Sequence, residues 1–235
     1  MNKMNIKLFA DGADKDGILE INRNPFIDGF TTNPTLMKLA GVKDYVAFAK
    51  DILSEVKDKP VSFEVFADEL KEMERQALEI ASWGNNVYVK IPITNTKKET
   101  TAGIIKSLSY QNVKLNITAM LTLDQVKIVS DSLNPSQSAF VSVFAGRIAD
   151  TGHDPIPYMK KALDILSPNP KAELLWASPR EVLNVYQAES IGCHIITATN
   201  DILKKLDLKG KDLSEYSKET VQMFYKDSQA AGFKL

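Results

Sequence analysis

The feature that most constrains this chain is a regular alternation of short apolar runs with longer stretches of helical spacing. The runs at Ile6–Ala10, Ile27–Phe30, Val61–Val65, Asn86–Ile91, Val113–Ile117, Ala139–Val143, Glu173–Ala177 and Cys193–Thr197 read as strands. Between them, Tyr45–Lys57, Asp68–Trp83, Thr100–Leu108, Leu123–Leu133, Ile156–Leu166, Arg180–Ser190 and Asp201–Leu206 read as helices, and a last amphipathic helix spans Leu213–Ala230 before Gly232. Strands separated by helices of 10–15 residues specify βαβ units and a parallel sheet. Eight such strands without a glycine-rich linker indicate one α/β domain over residues 1–235, a single (β/α)8 TIM barrel with an additional C-terminal helix. An open doubly wound sheet is the alternative, but the segment Asp11-Gly12-Ala13-Asp14-Lys15-Asp16-Gly17 lacks its G-x-G-x-x-G fingerprint.

Composition narrows the chemistry. The 235 residues carry 29 Lys+Arg against 30 Asp+Glu, and this balance argues against a nucleic-acid partner. One cysteine, Cys193, leaves no intrachain disulfide or cysteine cluster, and two histidines, His153 and His194, make a multi-histidine metal site improbable. The first residues have no secretory apolar run, and no stretch approaches the ~20 apolar residues that cross a bilayer. The expectation is a soluble cytoplasmic protein with no membrane partner.

Alternation inside the strands points to where a site should be. In Val61-Ser62-Phe63-Glu64-Val65, Val87-Tyr88-Val89-Lys90-Ile91, Val113-Lys114-Leu115-Asn116-Ile117-Thr118 and Val141-Ser142-Val143, apolar and polar residues alternate. The apolar set can face the helices while the polar set points into the barrel. Asp11, Asn33, Ser178 and Arg180 stand at further strand ends, where sites of this fold are assembled. An isolated Ser or Asn there can equally cap the next helix.

Lys90 carries the most chemistry. Flanked by Tyr88-Val89 and Ile91-Pro92-Ile93, it is desolvated on a central strand, which disfavours the ammonium and can yield a nucleophilic amine for Schiff-base formation. A structural ion pair with Glu64 on the neighbouring strand is the plainer alternative. A pyridoxal phosphate lysine would need a phosphate loop that the sequence does not offer.

The run Asp28-Gly29-Phe30-Thr31-Thr32-Asn33-Pro34-Thr35-Leu36 resembles the T-T-N-P signature of the transaldolase family. Lys90-Ile91-Pro92, Asn116-Ile117-Thr118, Ser142-Val143-Phe144-Ala145-Gly146-Arg147 and Ala177-Ser178-Pro179-Arg180 resemble further family segments in family order, as does Glu219-Thr220-Val221-Gln222-Met223-Phe224. The resemblance implies a class I aldolase barrel with no metal and no organic cofactor, acting on small-molecule sugar phosphates as a homo-oligomer. Position by position, it implies that Lys90 forms the Schiff base with the C2 ketone and that Asp11 handles the C4 hydroxyl proton. Glu64 and Thr118 would hold a proton-shuttling water. Asn33, Asn116 and Ser142 would bind the hydroxyls of the three-carbon unit, with Phe144 as a wall. Arg147, Ser178 and Arg180 would hold the phosphate. The sequence departs from the family at Thr197-Ala198-Thr199-Asn200, His194 and Gly12, which the same reading sets around the substrate mouth, with His194 as a core or supporting residue.

The leading function is transfer of a dihydroxyacetone unit from sedoheptulose 7-phosphate or fructose 6-phosphate to an aldose phosphate, as in the pentose phosphate pathway. The rival is a lyase resembling fructose-6-phosphate aldolases, which tend to carry glutamine at the place of Glu64 and tyrosine at the place of Phe144. A sugar-phosphate-binding barrel without turnover has no chemical need for Asp11, Glu64, Lys90 and Thr118 together.

Overall fold

β-Branched residues occupy the strands and alternate with residues suited to the barrel interior, so each strand can bury both faces. The computed structural model describes residues 4–234. Eight parallel strands form a closed barrel in chain order: β1 (Lys7–Asp11), β2 (Ile27–Thr31), β3 (Val61–Glu64), β4 (Val87–Pro92), β5 (Leu115–Met120), β6 (Ala139–Val143), β7 (Ala172–Trp176) and β8 (Ile195–Ala198). Closure runs through Lys7↔Ile195 to Ala10↔Ala198. Every expected strand is present, within three residues at either end. The helices are α1 (Lys15–Asn22), α2 (Pro34–Leu39), α3 (Tyr45–Glu55), α4 (Leu70–Ala81), α5 (Ala102–Tyr110), α6 (Leu123–Ser132), α7 (Ala145–Asp150), α8 (Pro155–Leu166), α9 (Leu183–Ser190), α10 (Asn200–Lys204) and α11 (Leu213–Ala230), with a 3-10 turn at Lys205–Leu208.

Three helices, α1, α2 and α7, were not anticipated from periodicity. They have eight, six and six residues, too few to show an apolar stripe, and α1 and α2 are set by their caps. Asp14 accepts from Gly17 N–H and Asn33 from Leu36 N–H, with Pro34 opening α2 where no amide is needed. The expected helix over Arg180–Ser190 begins only at Leu183, because Arg180 and Glu181 donate their amides to Asn184 Oδ1 in the preceding loop.

Alternation sorts the strand residues as the sequence implies. Val61, Phe63, Val87, Val89, Ile91, Leu115, Ile117, Val141 and Val143 are buried, as are Met73, Ala77 and Ile80 of the amphipathic α4. The barrel interior is not polar along its whole length. Phe9, Phe140, Leu175 and Ile195 form a buried cluster, with Tyr88 and Phe144 packed against it. Tyr88 stacks on Phe140 at 3.9 Å, and Phe9 meets Phe140 edge-on at 5.4 Å. Above this aromatic floor the polar residues begin. Gly29 makes room for it, since a Cβ there would lie 2.6 Å from the Phe9 ring.

The chain divides into two compact units, Met1–Leu203 with the barrel and Lys204–Leu235 with α11. Within α11, Asp212 caps the helix through Ser214 and Glu215 N–H, and none of the helix residues is buried. Among the described residues, no helix is long and apolar enough to cross a membrane.

Candidate active site

Strand ends, not loops, build the site. Asp11 closes β1, Glu64 closes β3, Lys90 lies two residues before the end of β4, and Asn116 and Thr118 sit on β5. Ser142 lies near the end of β6, Phe144 and Arg147 follow it, and Ser178 and Arg180 follow β7. With Asn33 from the β2–α2 corner, all eleven expected site residues line one cavity of about 540 Å3 at the C-terminal ends of the strands.

Lys90 is the centre of this cavity and only 6% exposed. It pairs in register with Glu64, placing Nζ 3.1 Å from Glu64 Oε2, and donates to Thr32 C=O at 2.7 Å. The ion pair considered from the sequence is therefore real, but it lies inside the cavity with the other candidate residues. Asp11 accepts from Thr31 Oγ1 at 2.7 Å and from Asn33 Nδ2 at 3.4 Å. Burial pushes the Asp11 carboxyl above its ordinary range. Lys90 and the two hydrogen bonds pull the other way, and Glu64 adds to the rise.

Asn116 is oriented from both sides. Its Nδ2 donates to Ser62 Oγ at 3.0 Å, and its Oδ1 accepts from Ser142 Oγ at 2.7 Å. One amide hydrogen remains for a ligand. Thr118 Oγ1 is buried with no hydrogen-bond partner among the described residues, as suits an atom that completes its bonding with water or substrate. The next residue, Ala119, has φ 63° where the β5–β6 register shifts, a bulge beside the cavity built with a non-glycine residue in the left-handed region.

The cationic wall has its own scaffold. Arg180 Nε donates to Asp150 Oδ1 at 2.8 Å, Nη2 binds Asp150 Oδ2, and Nη1 reaches Ser178 O at 3.0 Å and Ser178 Oγ at 2.8 Å. Hydrogen bonding to Arg180 holds the Asp150 carboxyl below its usual range. Arg147 stands over the Phe144 ring at 5.8 Å. Ser178 adopts φ 61°, and Gly146 lets α7 approach it closely.

Sequence reasoning missed several contributors. Thr31 and Thr197 line the cavity and share a 2.6 Å hydrogen bond, while Ser62 orients Asn116 from below. Each occupies an inward polar position of a strand, the signal that could have found it. His194 is a correction. It lies just before β8, at the opposite end of the barrel from the cavity, largely exposed, where Nδ1 accepts from Leu174 N–H at 2.9 Å. It therefore neither borders the substrate mouth nor belongs to the core. A larger hollow of 610 Å3 lies at that end, but its charges include the surface pair Lys7–Glu173 and it holds none of the eleven residues. No group of three or more His, Cys, Asp or Glu suited to a metal occurs among the described residues.

Comparison with known proteins agrees with this arrangement. A probable transaldolase from Thermoanaerobacter sp. is 29% identical over 231 residues, covering 98% of this chain and 100% of the relative. Probable transaldolases from Methanococcus maripaludis and Sulfurihydrogenibium sp. are 32% and 33% identical, each covering 86% of this chain and 89% and 88% of the relatives. KGPDC from Streptococcus mutans shares the fold, with a TM-score of 0.56 at 12% identity over 86% of this chain and 91% of that one. The transaldolase/fructose-6-phosphate aldolase family model matches residues 8–235, the full span of strands and cavity residues described above, and the chain belongs to that family.

Proposed function

We propose that this protein is a Schiff-base transaldolase, moving a dihydroxyacetone unit from a ketose phosphate to an aldose phosphate. The observation that carries this reading is the buried Lys90 meeting Glu64, Asp11 and the unpartnered Thr118 hydroxyl in one cavity. Lys90 Nζ, as free amine, attacks the C2 ketone to give a carbinolamine. A water between Glu64 and Thr118 relays the protons as hydroxide leaves as water and the iminium forms. Asp11 takes the C4 hydroxyl proton, the C3–C4 bond breaks, and its electrons pass into the iminium to leave an enamine on Lys90. The raised Asp11 carboxyl is a stronger base than an ordinary one. The enamine carbon then attacks the acceptor aldehyde, Asp11 returns the proton, and water releases the new ketose phosphate.

Asn33, Asn116 and Ser142 bind the hydroxyls of the three-carbon unit, and Arg147, Ser178 and Arg180 bind the phosphate. Phe144 favours transfer over release, because it offers no proton to the enamine where a tyrosine would. A homo-oligomer fits the same reading. Leu213, Val221, Phe224 and Tyr225 of α11 are exposed, an apolar set that a second copy would cover, and light scattering tests it.

Borohydride reduction with fructose 6-phosphate should fix a three-carbon adduct on the peptide containing Lys90. Labelling of another lysine, or none under turnover, rejects the assignment. Fructose 6-phosphate alone should give little free dihydroxyacetone, while added erythrose 4-phosphate should release glyceraldehyde 3-phosphate quickly. Equal dihydroxyacetone production with and without acceptor would establish the lyase instead.

A further inference from the structure

The sheet is incomplete at one rung, and the missing rung lies beside Lys90. Between β2 and β3, Phe30 N–H donates to Pro60 C=O at 2.8 Å and Thr32 N–H to Ser62 C=O at 3.2 Å. In a parallel ladder with this register, the next bond runs from Glu64 N–H to Thr32 C=O. It is not made. The chain turns away at Asn33-Pro34 to begin α2, and the two halves of the rung find other partners.

The freed acceptor, Thr32 C=O, receives Lys90 Nζ at 2.7 Å. The freed donor, Glu64 N–H, binds Tyr45 Oη at 2.7 Å, and the same hydroxyl donates to Glu64 C=O at 2.9 Å. A single phenol thus satisfies both main-chain groups of the residue whose carboxylate pairs with Lys90, using its one proton and one lone pair. Burial pushes the Tyr45 phenol up, so the proton stays on the oxygen. The ring that carries it is fixed at the start of α3 by edge-on contacts with Phe66 at 4.3 Å, Trp83 at 5.6 Å and Phe63 at 6.2 Å.

We propose that Tyr45 is a positioning residue for the reaction: its hydroxyl takes the place of a strand, keeps the Thr32–Glu64 rung open, and so leaves Thr32 C=O free to seat the Lys90 amine opposite Glu64. Without the hydroxyl, Glu64 N–H has an unoccupied acceptor one rung away in Thr32 C=O. Closing that rung takes the acceptor from Lys90 and shifts the Glu64 main chain that aims the carboxylate. Tyr45 does not itself line the cavity. The inference rests on the Schiff-base reading of Lys90 and Glu64, and its test separates the two.

The Tyr45→Phe variant keeps the ring and its aromatic contacts while removing both bonds to Glu64. It should lose about 10–100-fold in kcat, the scale of a 1 Å misplacement, with KM for fructose 6-phosphate changed less than about threefold. The rate of borohydride-trappable adduct formation should fall in parallel. Trp83→Phe, which trims the same aromatic group without touching the hydroxyl, should lower Tm yet keep kcat. A Tyr45→Phe enzyme with kcat within about twofold of the parent overturns the proposal, as does a loss matched by Trp83→Phe at equal loss of Tm. Should Tyr45→Phe not fold, 3-fluorotyrosine at position 45, a weaker acceptor in the same place, must lower kcat at constant KM, and unchanged kcat overturns the proposal. Absence of any Lys90 adduct in the parent overturns the functional reading and this inference with it. A parent adduct together with an unaffected Tyr45→Phe rejects the inference alone.

Discussion

Gly146 gives a sharp test of how the phosphate end of the cavity is held. It opens the approach of α7 to the loop after β7, and a Cβ built there would stand 1.6 Å from Ser178 O and 2.7 Å from the Ser178 carbonyl carbon. Normal contact between heavy atoms begins near about 3.5 Å, so Gly146→Ala must part the two backbones by roughly 2 Å. Neither side can yield as a flexible side chain could, because the obstructing atoms are main chain. Ser178 is already in the left-handed region at φ 61°, and its carbonyl and hydroxyl both hold Arg180 Nη1. The displacement is therefore passed to the guanidinium. Overpacking of this kind costs about 1–3 kcal/mol of stability, within what a domain of this size tolerates. A misplacement beyond 1 Å should lower kcat/KM for a phosphorylated ketose about 100-fold. The assay is donor use with fructose 6-phosphate beside the same transfer from unphosphorylated fructose, at saturating erythrose 4-phosphate. The phosphorylated donor should suffer and the unphosphorylated one should change little. An equal fall for both donors, or a Gly146→Ala enzyme within about threefold of the parent on fructose 6-phosphate, refutes the argument.

Three other outcomes follow from the site. Arg180→Ala removes a charge-assisted contact worth about 1.5–3 kcal/mol, so kcat/KM on phosphorylated donors should drop roughly 10–150-fold, mostly through KM; unchanged kinetics would put the phosphate elsewhere. Phe144→Tyr supplies an acid near the enamine, and since a general acid is worth about 10²–10⁴ in rate, dihydroxyacetone release should rise relative to transfer in a coupled assay. Asp11 holds its proton to higher pH when folded than when unfolded, so its ionisation costs stability as pH rises through that window. Asp11→Asn should accordingly be inactive yet melt above the parent at about pH 7, with the Tm difference vanishing at low pH where both side chains are neutral; a difference independent of pH would refute the burial argument.

Much of this was legible because a barrel repeats one simple unit. Period-two alternation marked Ser62, Glu64, Lys90, Asn116 and Ser142 as inward before any fold was known, and strand ends located Asp11 and Thr118. Local signals too short for periodicity were lost. Asn33-Pro34 was read as a motif, although Asn33 also caps α2 and spends one side-chain atom on Leu36 N–H. His194 was assigned to the mouth because β8 was begun two residues early; Cys193 Sγ–H and His194 Nδ1 bond to Leu174 instead of continuing the ladder. Tyr45 could not be found from the sequence at all. Its importance depends on which rung of the sheet fails to form, and a helix-start tyrosine carries no trace of that.

The aromatic floor of the barrel has a consequence for traffic. Phe9, Tyr88 and Phe140 separate the catalytic cavity from the hollow at the other end, and no residue lines both. With the lower exit sealed, whatever enters must leave by the same door. In a two-substrate transfer the first aldehyde has to depart before the acceptor can take its seat against the same arginines. Double-reciprocal plots should then be parallel, and a large excess of acceptor should inhibit by occupying the free enzyme before the donor arrives. The order of events is written into the barrel by three rings that take no part in the chemistry.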